Sequence, residues 1–365
     1  MNWKRILESN YKDVSDISQP LNLTEGEQQQ FGAILERYPM SIPDYYISLI
    51  NFEDPKDPIR KMCIPSISET DMGGKLDTSG ERENTVIAGM QHKYKETLLI
   101  LSTHQCAMYC RHCFRKRLVG YTDEEVGEYY DQMVEYAKEH KEVSNVLISG
   151  GDAFLNSNER IEEMLEKFTL IEHLVAIRFG TRIPVVFPMR ITEDKELLDI
   201  LSRYNERKQI YVVTQFNHPR ELTREAIEAV RCLQKLGIQV KNQIVLLKDV
   251  NDTKEVLSNL LRGLIANGIA PYYIFQCRPV QGVKNAFQVP LKKGYGIVEA
   301  AKSLQNGLGK SFKYCMSHET GKIEIVGLLN DEQMLFKYNQ AKNEADQGRI
   351  FVQNIKDDQC WLDHI

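Results

Sequence analysis

Three cysteines stand close together in Cys106-Ala-Met-Tyr-Cys110-Arg-His-Cys113. A C-x3-C-x2-C spacing lets three thiolates converge on one [4Fe–4S] cubane and leaves its fourth iron without a protein ligand. An iron left open in this way can chelate the amino and carboxylate groups of S-adenosylmethionine. It can then pass an electron into the sulfonium and release a 5′-deoxyadenosyl radical. The competing reading is a structural zinc with His104 or His112 as fourth ligand, although zinc sites more often pair C-x2-C spacings. A second constellation is Ser149-Gly150-Gly151-Asp152. Two glycines admit a ligand close to the backbone, and the adjacent acid accepts from an ammonium or a hydroxyl. A glycine pair by itself marks only a turn. One structural repeat after the cysteines, it becomes a candidate seat for the methionine moiety.

The elements that must position these groups are legible as a rhythm. Apolar, β-branched runs recur at 98–104, 145–151, 175–182, 210–217, 241–248 and 271–279. Between them lie amphipathic segments, including EEVGEYYDQMVEYAKEH, NERIEEMLEKF, EDKELLDILSRY, REAIEAVRCLQKLG and TKEVLSNLLRGLIANG. Continuous apolar strands alternating with helices predict a parallel α/β sheet buried on both faces. Each run ends in polar or small residues, and in parallel barrels the chemistry collects at those ends. Six repeats fit a partial (β/α)6 barrel over 86–290 better than a closed eight-stranded one. Residues 1–85 read as a helical N-terminal extension, in which Thr24 and Glu27 form a capping box. Residues 291–365 read as a C-terminal appendage that lids the barrel mouth: a helix, a strand KIEIVGLL and a charged tail.

Bulk properties narrow the function classes. The 365 residues carry 46 Lys+Arg against 51 Asp+Glu, a net charge of −5. That balance gives no electrostatic footprint for nucleic acid or an anionic membrane. No apolar run approaches the ~20 residues of a membrane span, and the first residues lack the apolar core of a secretory signal. The other five of eight cysteines are scattered, unlike a disulfide framework. Scattered thiols and one tight cluster imply a reducing cytoplasm.

CAMYCRHCFRKR resembles the cluster loop of the lysine 2,3-aminomutase family of radical S-adenosylmethionine enzymes. The likeness extends through SIPDYYISLINFEDPKDPIRK (41–61), QHKY (91–94), LISGGDAFL, GTRIPVVFPMRIT, FNHPRELT, NQIVLLKDVND and PYYIFQCRP. The resemblance implies Cys106, Cys110 and Cys113 as cluster ligands. It also implies His112, Ser149, Gly150, Gly151 and Asp152 as S-adenosylmethionine contacts, and Arg115 as the group meeting a substrate carboxylate. For Arg115, Lys116 and Arg117 the residues alone read as a solvated basic turn, and the resemblance favours function for Arg115. Lys322 falls where the family carries pyridoxal 5′-phosphate as a Schiff base, and Lys93 and Tyr94 fall in its phosphate-binding region.

Departures from the family pattern matter for chemistry. Only Gly321 survives of the glycine run before Lys322, and Thr97 stands where an arginine is usual. The two aspartates that hold a lysine substrate's distal ammonium are replaced by Arg278 and Cys315. An arginine repels an ammonium and pairs with a carboxylate, so a substrate other than free lysine is expected, a glutamate-like amino acid being one example. At such a strand end Arg278 can equally be a structural ion-pair partner. Two readings follow: a 2,3-aminomutase with pyridoxal phosphate on Lys322, or a pyridoxal-independent radical enzyme with a different hydrogen abstraction. Either needs a small amino-acid-like substrate and a flavodoxin- or ferredoxin-type reductant, and is compatible with a homo-oligomer. A lone Cys360 predicts no zinc between subunits.

Overall fold

A computed structural model describes residues 3–120 and 129–363. Its centre is one sheet in which twelve strands follow one another in chain order. Strands β1 (Thr85–Ile87) and β2 (Met90–Tyr94) run antiparallel into β3 (Thr97–Thr103). Next come β4 (Asn145–Gly150), β5 (Ala176–Gly180), β6 (Ile210–Thr214), β7 (Gln239–Leu246) and β8 (Ala270–Gln276). These pair parallel, as does β9 (Lys313–His318) on β8. The sheet finishes antiparallel with β10 (Gly321–Leu328), β11 (Gln333–Ala341) and β12 (Ile350–Asn354).

The six expected strands are present, and a seventh parallel strand follows them. No break in the sheet falls at residue 290. The strand that opens with Gly321-Lys322 is part of the wall, and the expected charged tail pairs as β11 and β12. Its alternating burial, with Met334, Phe336 and Tyr338 inside, is masked in sequence by the intervening polar residues.

Helices cross between the parallel strands, several begun by a hydroxyl or carboxylate cap. Ser157, Asp194, Thr223 and Thr253 each accept from a backbone N–H of the first turn, which satisfies donors the helix leaves orphaned. The first residues of the expected helix 124–140 lie outside the described residues; the helix itself spans Tyr130–Glu139. In the extension, Thr24 Oγ1 accepts from Glu27 N and Glu27 Oε2 accepts from Thr24 N at 2.8 Å, the expected capping box.

The strands are not apolar on both faces. On β7, Val240, Asn242, Ile244 and Leu246 are buried, while Lys241, Gln243 and Val245 line a cavity of about 640 Å³. Residues from β2 through β11 all face that cavity, so the sheet curls around it. Strands far apart in the sheet meet across the curl: Lys93 Nζ on β2 donates to the backbone carbonyl of His318 on β9 at 2.6 Å.

Candidate active site

The cysteine loop leaves β3 and is gripped by the N-terminal extension. Asn10 donates to the Ala107 carbonyl at 2.9 Å, Tyr109 N to the Ser41 carbonyl at 3.0 Å and Arg111 N to the Met62 carbonyl at 2.9 Å. Arg111, almost fully buried, forks onto Glu69 (Nε to Oε1 at 2.9 Å), and Lys116 ion-pairs with the same carboxylate. Burial works against the Glu69 charge, yet the two cations hold its carboxyl below the ordinary range. The basic run after Cys113 is therefore no solvated turn: Arg115 and Lys116 are buried.

From the other side the glycine pair closes in. Gly150 has φ of +114°, and a Cβ at Gly150 or Gly151 would run into the backbone carbonyls of Thr103 and Gln105. In their place Gly151 N donates to Thr103 O at 2.5 Å and Asp152 N to Gln105 O at 2.9 Å. The pair is glycine because β4 must touch the start of the cysteine loop. The Asp152 carboxylate accepts from Thr181 Oγ1 (2.5 Å), Arg182 N (2.7 Å) and Phe154 N (3.1 Å), which ties the end of β4 to the loop after β5.

Cys106, Cys110 and Cys113 are free thiols and all three line the cavity, with His112, Ser149, Gly150, Gly151 and Asp152 beside them. Burial pushes the Cys106 thiol well up and Cys113 to about 11; iron would hold them as thiolates. Among the described residues no three His, Cys, Asp or Glu side chains are spaced for a single metal ion. A cubane takes one thiolate per iron corner, and three thiols on the wall of one cavity supply three corners. The donor set fits a cluster. His112 Nδ1 is buried without a partner while its Nε2 lies 3.3 Å from Asn217 Nδ2. An orphaned donor on the cavity wall suits a ligand.

The far wall gathers cations. Arg115 Nε donates to Glu81 Oε1 at 2.7 Å, and Arg117 shares that carboxylate. Arg278 lies 4.2 Å from the Phe114 ring centre and donates to Ser317 Oγ at 2.7 Å and to Ser79 Oγ. Lys93 donates to two carbonyls, and burial beside Arg278 lowers it to about 7. Lys322 donates to Gln340 Oε1 at 2.9 Å and sits 4.4 Å from the Tyr273 ring centre; burial, with Arg178 near, lowers it to about 8. Tyr94 Oη is buried without a partner. Cys315 is fully buried and does not reach the cavity lining, which the neighbouring Ser317 does.

A Radical SAM superfamily profile matches residues 100–261. A protein of Aquifex aeolicus (strain VF5), provisionally assigned as an L-lysine 2,3-aminomutase, is 38% identical over 354 residues, covering 96% of this chain and 94% of that protein. The chain belongs to the lysine 2,3-aminomutase family. L-lysine 2,3-aminomutase of Acetoanaerobium sticklandii is 37% identical over 84% of this chain and 73% of its own length. Glutamate 2,3-aminomutase of Clostridioides difficile (strain 630) is 34% identical over 84% and 72%. This family member is thus a radical S-adenosylmethionine isomerase of the aminomutase type, and the family implies a [4Fe–4S] cluster and S-adenosylmethionine. Among the described residues no helix is long and apolar enough to cross a membrane.

Sequence reasoning about the aminomutase missed the carboxylates behind the site. Glu69 and Glu81 sit in connectors with no motif, Glu221 lies in FNHPRELT with no role read for it, and each meets its cations from at least 34 residues away. It also missed the interior cations Arg178 and Lys241, hidden inside runs that read as apolar strands. Burial lowers Arg178, whose Nε has no partner. Lys241 Nζ lies 5.0 Å from the Tyr272 ring centre.

Proposed function

We propose that this aminomutase moves the amino group of a glutamate-like amino acid between C2 and C3, with pyridoxal 5′-phosphate carried on Lys322. The observation that carries the reading is the charge of the cavity. Lys93, Arg115, Arg178, Lys241, Arg278 and Lys322 line it, and the lining carboxylates are Glu81 and Asp152. Both are committed, Glu81 to Arg115 and Arg117 and Asp152 to Thr181 and the Arg182 N–H. Among the described residues no lining carboxylate is left to hold the distal ammonium of a lysine, whereas Arg278, whose side-chain hydrogen bonds go to two serine hydroxyls, can fork onto a carboxylate.

In this reading Cys106, Cys110 and Cys113 hold the cluster. His112, Ser149 and the backbone of Gly150–Asp152 seat S-adenosylmethionine, whose reductive cleavage supplies hydrogen abstraction. Arg115, fixed through Nε by Glu81, turns its remaining N–H groups to the α-carboxylate. Lys322, with its amine drawn down to about 8, is in part unprotonated near neutral pH and available to a carbonyl. Arg178 and Lys241 supply positive charge for a phosphate, and Lys93, lowered to about 7, would take up a proton as that anion binds beside it. The reductant is a flavodoxin- or ferredoxin-type donor, and the helical extension, barrel and C-terminal strands act as one catalytic body.

One observation favours the pyridoxal-independent alternative. Gly321 is required by the sheet, because a Cβ there would strike the Gln340 carbonyl of β11, so its survival owes nothing to a phosphate cradle. The experiment is an anaerobic assay of reconstituted protein with glutamate and with lysine, reading β-amino products, alongside borohydride trapping of pyridoxal phosphate and peptide mapping. Expected are β-glutamate and a label at Lys322. No β-amino product and no label would move the assignment to the alternative.

A further inference from the structure

Arg182 follows β5 and is buried, and its donors are spoken for in every direction. Its backbone N–H binds Asp152, its Nε the Gln215 carbonyl at 3.1 Å, and its Nη2 the Glu221 carboxylate and Tyr46 Oη at 3.2 Å. The remaining arm, Nη1, points at Cys110 Sγ from 2.8 Å. Glu221 is itself pinned by Tyr46 Oη at 2.6 Å and by the backbone N–H groups of Asn217 (2.6 Å) and His218 (3.0 Å). The guanidinium cannot swing away from the thiol without abandoning a buried carboxylate, which would cost far more than a surface contact. A purely structural ion pair has no need to aim a charged N–H at sulfur.

We propose that Arg182 sets the reduction potential of the cluster, by donating a charged N–H···S bond to Cys110 and being held there by Glu221. The inference rests on the reading that Cys106, Cys110 and Cys113 ligate the cluster. On reduction the cluster takes one electron from the low-potential donor and no proton moves, because an arginine stays charged. The added negative charge is spread over the sulfurs, so a positive donor at one of them stabilises the reduced form more than the oxidised form. Arg182 is a positioning residue: it touches a ligand of the cluster and not the reacting atoms. Glu221 acts with the opposite sign, since its carboxylate offsets part of the arginine's charge.

The test is an EPR-monitored redox titration of anaerobically reconstituted protein without S-adenosylmethionine, with iron and sulfide counted first. Arg182→Gln is expected to lower the equilibrium constant for reduction about tenfold, a potential roughly 59 mV more negative. Glu221→Gln is expected to raise it, and Arg182→Lys to lie between Arg182→Gln and wild type. A role confined to holding the loop predicts loss of iron in both variants with no ordered, opposite displacement of the potential. Shifts under threefold, or both variants moving the same way, would overturn the proposal. Should a variant not load iron, wild-type protein labelled with 15N-arginine decides. A nitrogen coupling to the reduced cluster supports the contact, and its absence refutes it. Wild-type protein that assembles no cluster defeats the ligand assignment itself, a separate outcome.

Discussion

Around the cysteine loop the buried cations have carboxylates: Arg111 and Lys116 share Glu69, Arg115 and Arg117 share Glu81, and Arg182 has Glu221. Along the wall that carries Lys322 none of the described cavity-lining cations makes a direct ion pair, and Glu81 and Glu319 act on Arg278 and Lys93 only through space. Lys93 has carbonyls, Arg278 hydroxyls and a ring, Lys322 an amide and Lys241 two tyrosine faces. In the first region each of these cations has a carboxylate partner in the bare protein, and the pairs hold backbone in place. The second is a set of positive charges whose counter-charge must come from what binds. Geometry is built mainly where cations are paired, with Arg115 facing both ways, and binding is provided for chiefly where they are not.

The matched side should break hardest. Glu69→Gln leaves two buried cations short of their partner and is expected to cost about 3–5 kcal/mol, read by urea denaturation, with iron content falling in parallel. Unchanged stability would mean that the Glu69 cluster is no framework. On the unmatched side, Arg278→Asp should lower kcat/KM for glutamate by roughly 100- to 1000-fold, about 3–4 kcal/mol, while lysine turnover rises above wild type. Equal losses on both substrates would remove Arg278 from specificity.

A smaller effect tests the depressed amines by pH. Lys322 is lowered to about 8 and Lys93 to about 7 in the fold, so between those values and ~10.5 the unfolded chain binds more protons than the native one. Stability of the unliganded protein should therefore rise with pH across that window. Lys322→Met should remove on the order of 2–3 kcal/mol of that rise, measured by urea midpoints from pH 7 to 10.5; an unaltered slope would place the Lys322 amine in water. Smallest is Thr24→Ala, a lost helix cap worth about 1 kcal/mol. It should leave iron content untouched, which shows that the Glu69 effect is specific to its carboxylate and not to any damage in the extension.

Much of this was legible in sequence, and the limits are instructive. The cysteine spacing, the Thr24–Glu27 cap and the strand ends bearing Ser149–Asp152 follow local rules, so a linear reading reaches them. Lys241 and Arg178 were not legible as interior charges. The runs QVKNQIVL and AIRF look like core strands, and only closure around a cavity turns alternate residues toward a void. Pairing of Glu69, Glu81 and Glu221 with distant cations depends on tertiary approach, which no spacing encodes. The strand β11 hid among Lys, Asn and Gln because its partner β10, and not its own pattern, supplies most of its order.

The grip of residues 10 to 69 on the cysteine loop has a consequence for how the chain is made. Domains generally take shape from the amino end as they are translated, so the surfaces that will receive the thiols leave the ribosome before the thiols do. Glu221, which fixes the arginine against Cys110, is synthesised long after. The loop is thus offered one half of its mould at birth and the other half only when most of the barrel exists.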